Sequence, residues 1–266
     1  MLAISLAVRG WDLIRGAVPW QSAHTGPRRG VVLYYHAVKP HQRRRFARQM
    51  DVLVKHASAV PAGSLEAMPR EGRSVAVTFD DGFRSVLENA VPELTKRSIP
   101  FTMFVPSGCL GERPSWVRDA THQSWEERVL SAPELRSLAT MPLATLGSHS
   151  VSHPDLTKLD PAQAEQELAG SRANLEAAAG VTIDLFSFPH GAHSAALVDQ
   201  ARRAGYRAVF TIEPTTVAGD QDLFIVGRVA VDPQDWPLEF RLKMAGAYRW
   251  RQHAHRNRQS VVKANR

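Results

Sequence analysis

The strongest constraint on what this chain can fold into is an alternation. Short β-forming runs recur along it, separated by stretches with helical spacing. The strand candidates are VVLYY from Val31, VAVTF from Val75, FTMFV from Phe101, LATLGS from Leu143, LFSF from Leu185, RAVFT from Arg207 and LFIVGRVAV from Leu223. Between the first two, Phe46, Met50, Leu53, Val54 and Ala57 recur at the spacing of one helix face, and beyond Gly82 the residues Val86, Leu87, Ala90, Val91 and Leu94 do the same. Asp160 and Pro161 open a long helix that Gly180 closes, and Ser194 to Gly205 repeats that start-and-stop chemistry. Strands separated by helices predict an α/β fold with a parallel sheet, either open and doubly wound or closed into a barrel. In both architectures functional sites gather at the carboxyl ends of the strands.

A chain of 266 residues, 44% hydrophobic and 22% charged, can bury the core of one globular domain or at most two. One cysteine, Cys109, leaves no intramolecular disulfide framework. No apolar run approaches the roughly 18 residues of a spanning helix. In residues 1–29, Leu2, Leu6, Leu13 and Ala17 share a helical stripe, which reads as a surface helix or an interfacial amphipathic one. The pattern is poor for a signal peptide, so the expected location is cytoplasmic, with peripheral membrane contact through the termini as an option. The charge of +7 is concentrated at the end: no acidic residue follows Glu239, and residues 241–266 carry eight Lys or Arg. That basic tail reads as a solvated end or as a contact for a polyanion. Nothing in it matches a nucleic-acid-binding motif, so no nucleic-acid partner is expected.

Chemistry concentrates at two strand ends. Asp80 and Asp81 close the run VAVTF, and adjacent carboxylates repel unless something positive sits beside them. The run LATLGS ends in HSVSH, with His149 and His153 four residues apart. Two imidazoles and one carboxylate make a facial set with open positions, suited to Zn²⁺ or another divalent metal. One aspartate can then ligate while its neighbour stays free as a base.

TFDDG (78–82) and HSVSH (149–153) together resemble the first two motifs of the polysaccharide deacetylases, carbohydrate esterase family 4 with the NodB homology domain. The resemblance covers about Val31 to Trp236 and implies a domain over residues 30–240 with a distorted (β/α)7 barrel. It implies a metal-dependent hydrolase that removes acetyl groups, N-acetyl foremost, from a polysaccharide or its lipid-linked precursor. Carried over by position, Asp80 matches the catalytic base, and Asp81, His149 and His153 the metal ligands. The implied metal is zinc, with Co²⁺, Ni²⁺ or Mn²⁺ as alternatives, and the implied partner is a glycan. The water made acidic by the metal would attack the acetyl carbonyl as Asp80 takes its proton.

Elsewhere the chain departs from the family pattern. SFPHG (187–191) matches the third motif, with Ser187 where an arginine is usual; Pro189, His190 and Gly191 would line the substrate groove. Arg228, at another strand end, can take the arginine's task or be purely structural. DPQDW (232–236) resembles the fourth motif, making Trp236 a candidate wall for the sugar or the acetyl methyl. The carboxyl-terminal histidine motif is not evident, His253 and His255 lying in the basic tail. LYYH instead resembles a rearranged subgroup with that motif at the amino terminus, which makes His36 the candidate proton donor. His190 and His193 are weaker candidates for that role. The irregular stretch 107–130, with Trp116 and Trp125, reads as a lid or as a packed loop. Two other readings stand beside the hydrolase: a glycan-binding or scaffold protein without turnover, and a metal-dependent amidase on a non-sugar substrate.

Overall fold

The computed structural model describes residues 29–69, 71–218 and 222–248. The expected N-terminal helix and the tail beyond 248, with His253 and His255, lie outside these residues. The strands are β1 (Arg29–Tyr35), β2 (Ser58–Ala59), β3 (Ser74–Phe79), β4 (Phe101–Val105), β5 (Ala144–Ser148), β6 (Leu185–Ser187), β7 (Ala208–Phe210), β8 (Val217–Ala218), β9 (Ile225–Val226) and β10 (Val229–Ala230). Eight of them form one parallel sheet in the order β10-β1-β3-β4-β5-β6-β7-β9, with β2 beside β3 and β8 antiparallel to β1. The two ends of that order, β9 and β10, are consecutive in sequence and separated by only Gly227 and Arg228. The sheet is therefore a nearly closed barrel whose seam is bridged by two residues of its own chain, as the expected distorted (β/α) barrel requires.

The run LFIVGRVAV, read above as one strand, is thus two. Gly227 and Arg228 interrupt it because a Cβ at Gly227 would collide with the Glu213 carbonyl and Thr215, and because the Arg228 side chain turns into the barrel.

Continuous apolar runs make these strands because both faces are buried, as in β3, where all six residues are. Alternation then sorts the side chains. Val31, Leu33, Tyr35, Val75, Val77, Phe79, Phe101 and Met103 pack outward against helices, while Val32, Ala76, Phe104, Leu185, Phe210 and Val226 fill the barrel. Gly147 leaves the space that the Phe104 ring occupies.

The helices are α1 (Arg43–His56), α2 (Arg84–Asn89), α3 (Val91–Lys96), α4 (Ala132–Ala139), α5 (Pro161–Glu165), α6 (Ser171–Ala179), α7 (Ala195–Arg203) and α8 (Pro237–Met244). Helix α5 runs through a π turn at Gln166–Gly170 into α6. The predicted helix from Asp160 to Gly180 is therefore continuous, with the Asp160 carboxylate capping Ala162 and Gln163 and Gly180 leaving at φ 75°. In α1, Phe46, Met50 and Leu53 are buried, but Val54 is 47% exposed, one step off the stripe. The fold also runs past residue 240: Leu242, Met244, Ala247 and Tyr248 are buried, so the basic tail begins later than expected. Among the described residues no helix is long and apolar enough to cross a membrane.

Candidate active site

The inward-facing line of each strand continues past its carboxyl end, and the candidate residues sit on those lines. Ala76 and Thr78 lead to Asp80, Thr145 and Gly147 to His149, Leu185 to Ser187, and Val226 to Arg228. After Asp80 the chain turns sharply. Asp81 (φ 68°) and Gly82 (φ 59°) are both left-handed, and a Cβ on Gly82 would come within 2.9 Å of Val105. This turn separates the two carboxylates and leaves both buried, Asp80 at 3% and Asp81 at 6% exposure.

Asp80 is gripped by Arg228. Nη1 donates to Oδ1 at 2.7 Å and Nη2 to Oδ2 at 2.8 Å, a bidentate pair across 148 positions of sequence. Arg228 is wholly buried and spends its remaining donors on the Thr211 carbonyl (3.1 Å), Thr78 Oγ1 (3.2 Å) and Ser187 Oγ (2.7 Å). The Tyr34 ring lies 4.7 Å from its Cζ. Ser187, standing where the third motif usually has its arginine, is therefore a contact of the arginine that reaches the same place from the barrel seam. Burial alone would raise the Asp80 carboxyl. The Arg228 charge and hydrogen bonds, with His149 and His36 behind them, outweigh it and hold Asp80 far below the ordinary carboxylate range.

Asp81, His149 and His153 form the other half. One potential ligand atom from each lies within 4.8 Å of the others. Asp81 Oδ1 is 3.3 Å from His153 Nε2 and 3.7 Å from His149 Nε2. His149 Nδ1 is 2.7 Å from the Ser187 carbonyl, which can only accept, so the proton is on Nδ1 and the Nε2 lone pair faces Asp81. Asp81 Oδ1 and His153 Nδ1 are buried without a hydrogen-bond partner. Two imidazoles and a carboxylate with an orphaned buried oxygen are the donor set of a borderline divalent cation, and these residues fit one. Burial pushes Asp81 up, but His153, His36 and His149 around it pull it down further, so it is an anion.

Burial is also the main cause that pulls His149 down, to about 4. Between its ordinary value of 6.5 and about 4, the unfolded chain takes up a proton here that the folded chain refuses. Stability of the metal-free protein is therefore expected to fall as pH drops through that window, by on the order of 3 kcal/mol from this group. Denaturant titrations at stepped pH values check this, and a flat profile between pH 6.5 and 4 would contradict it.

The Nδ1 edge of the His153 ring has no hydrogen bond, and packing fixes the ring. Trp116 stacks on it at 4.3 Å and 20°, and His149 and His190 meet it edge-on at 4.8 and 4.7 Å. The stretch 107–130 thus overhangs the site through Trp116, whereas Trp125 packs under Arg113. Replacing Trp116 by Ala should weaken metal affinity about tenfold, as loss of an outer-shell partner does, with Trp116→Phe retaining most of it. Chelator competition gives the affinities, and equal values for wild type and Trp116→Ala would contradict the assignment.

Other candidates are placed unequally. His36 is exposed just past β1, its ring 5.7 Å from Tyr34 and its charge felt at both aspartates. His190, at φ 57°, reaches the set through His153, on a turn of buried Pro189 and half-buried Gly191. His193 stacks on Phe188 instead. Trp236, read above as a wall for the sugar or the acetyl methyl, lines a groove with Arg45 and Arg48 and is 78% exposed. Glu167 carries no sequence signal, yet its carboxylate accepts from the Val151 and Ser152 N–H groups (2.7 and 2.9 Å) and from Ser152 Oγ (2.6 Å), bracing the turn between the two histidines.

Residues 67–209 match the family model described as polysaccharide deacetylase. The chain belongs to the polysaccharide deacetylase family. The matched segment holds Asp80, Asp81, His149 and His153 but neither His36 nor Arg228. The chain is 26% identical over 161 residues to the protein YxkH of Bacillus subtilis, covering 60% of this chain and 52% of that one. It is 25% identical over 166 residues to the chitooligosaccharide deacetylase of a Bradyrhizobium strain, 62% of this chain and 59% of that one. The match thus spans little more than half the length of these curated relatives. The structure of IcaB from Ammonifex degensii superposes with a TM-score of 0.67 at 28% identity, over 84% of this chain and all of that one.

Proposed function

We propose that this protein is a metal-dependent hydrolase that removes N-acetyl groups from a glycan. What carries the reading is a division of labour between adjacent carboxylates: Asp81 faces two imidazoles with an orphaned oxygen, while Asp80 is paired through both its oxygens with Arg228. A scaffold without turnover would have no use for the second, costly buried anion. Asp81, His149 and His153 would hold the cation, with zinc first among candidates because the donors are two nitrogens and one oxygen. When bound there, it supplies Lewis acidity to a carbonyl and a water acidic enough to ionise near neutral pH.

The remaining work falls to the chain. Asp80, kept ionised by Arg228, takes one proton from the attacking water. His36, at the open rim, delivers a proton to the amide nitrogen as the carbon–nitrogen bond breaks. One water is consumed, and a free amine and acetate are released. Trp116, over His153, narrows the approach on one side. The sugar assignment draws support from the chitooligosaccharide deacetylase relative.

Acetate release should be measured from chitopentaose and from acetylated xylan. The reading predicts acetate and an equal quantity of free amine from chitopentaose. Acetate from the xylan esters alone would overturn N-deacetylation.

A further inference from the structure

Outside the metal set, one groove combines unpaired cationic groups with an exposed aromatic ring. It lies between α1 and the start of α8, has a volume of about 420 Å³, and is lined by residues that include Arg45, Arg48, Gln49, Asp235 and Trp236. Trp236 is the N-cap of α8, and its carbonyl accepts from the Phe240 N–H at 2.9 Å, so the 78% exposed indole stands on an anchored backbone. Arg45 and Arg48, three residues apart on α1, share one face and are exposed.

The polar inventory of the groove is one-sided. Asp235 is paired with Lys243 at 2.6 Å, an ammonium that Glu239 shares at 3.4 Å. The Gln49 amide is occupied, accepting from the Tyr35 hydroxyl and donating to the Asp232 carbonyl, each at 2.9 Å. Arg43, nearby on the same helix, is paired with Glu93. Among the described residues, the guanidinium groups of Arg45 and Arg48 have no partner. What the groove offers a ligand is therefore two unfilled planar donor forks, the exposed Gln234 amide and one indole face. Such forks match carboxylate or phosphate oxygens two at a time, and an indole face suits the apolar face of a sugar ring.

Its place in the fold connects it to the reaction. Helix α1 follows β1, residues 233–236 follow β10, and these strands are parallel neighbours paired at Leu33–Val229 and Tyr34–Ala230. The groove thus starts at the same barrel end as Asp80 and on the side of His36. We propose that it is a second saccharide-binding site, taking a sugar residue that bears a carboxylate or phosphate group within the glycan being deacetylated. The glycan's identity as the deacetylated substrate rests on the function proposed above; the anion selectivity of the groove does not.

The test is titration calorimetry on the full chain with pentagalacturonate, a phosphomannan oligosaccharide, chitopentaose and phosphatidylglycerol vesicles. At least one anionic oligosaccharide should bind about tenfold or more tighter than neutral chitopentaose, and weaken with added salt. The double variant Arg45→Gln/Arg48→Gln should lose that preference, and Trp236→Ala should weaken binding of both kinds of sugar; all three positions are exposed, so the variants should fold. Equal binding of charged and neutral sugars would overturn the proposal, as would a double variant that binds like wild type. Arginine-dependent binding to vesicles without binding to any oligosaccharide would also overturn it, making the surface a membrane contact. Anion-selective sugar binding through Arg45 and Arg48 without acetate release from any glycan would support the groove and overturn the hydrolase reading instead.

Discussion

Asp80→Asn is expected to lower acetate release by about 10²- to 10⁴-fold, the usual worth of a positioned general base. The amide keeps the shape of the carboxylate but cannot take the proton. Because Asp81, His149 and His153 are untouched, metal content should stay at the wild-type value. The substitution also leaves the Arg228 guanidinium buried with no counter-charge. Breaking a buried pair in this way costs about 3–5 kcal/mol, so the variant should melt roughly 10 °C lower. Acetate assay, metal analysis and thermal unfolding on one preparation separate these effects. Full activity with a lowered melting temperature would make Asp80 a structural anion only.

Arg228→Met removes the other partner and should be as destabilising, since Asp80 stays buried and the Ser187, Thr78 and Thr211 oxygens each lose a donor. The pH dependence identifies the cause. In the wild type the Asp80 carboxyl lies far below its ordinary value of 3.8, so its contribution is complete above that value and is lost as pH falls below it. Without Arg228, burial dominates and the carboxyl titrates above its ordinary value; lowering the pH then relieves the buried charge. The stability gap between the two proteins should narrow as pH falls from neutral toward 4, and the acidic limb of the activity profile should move up in the variant. A gap independent of pH would place the effect of Arg228 in packing alone. Arg228→Lys should fall between the two, keeping the charge but losing the fork.

Much of the site was legible because it follows period-two alternation. Once VAVTF is read as an inward–outward strand, Asp80 must continue the line of Ala76 and Thr78 into the barrel, and the same count delivers His149 and Arg228. Motif order supplied Asp81 and His153, whose left-handed backbones follow from sharp turns at strand ends. What was not legible depends on contacts between distant segments. The Arg228–Asp80 pair spans 148 positions, so one sequence could suggest the arginine but not its partner. Glu167 reads as one more polar residue on a helix, and only the fold brings it under the Val151–Ser152 turn. LFIVGRVAV reads as one strand because its residues are β-formers throughout; the break comes from barrel closure, which local propensity does not encode. The groove that Trp236 lines was not legible either: its motif fixes the residue type, while the direction in which the chain leaves β10 fixes its neighbours.

The central claim, that this chain hydrolyses N-acetyl groups with a cation held by Asp81, His149 and His153, is tested most directly by a metal cycle on the wild type. Acetate release from chitopentaose would be followed in protein as purified, after chelation to zero metal, and after return of one equivalent of zinc. The predicted result is activity that disappears with the metal and returns with it at a one-to-one ratio, and that fails to return in His149→Ala. Acetate release undiminished in metal-free protein, or one equivalent of zinc bound equally well by His149→Ala, would contradict the account.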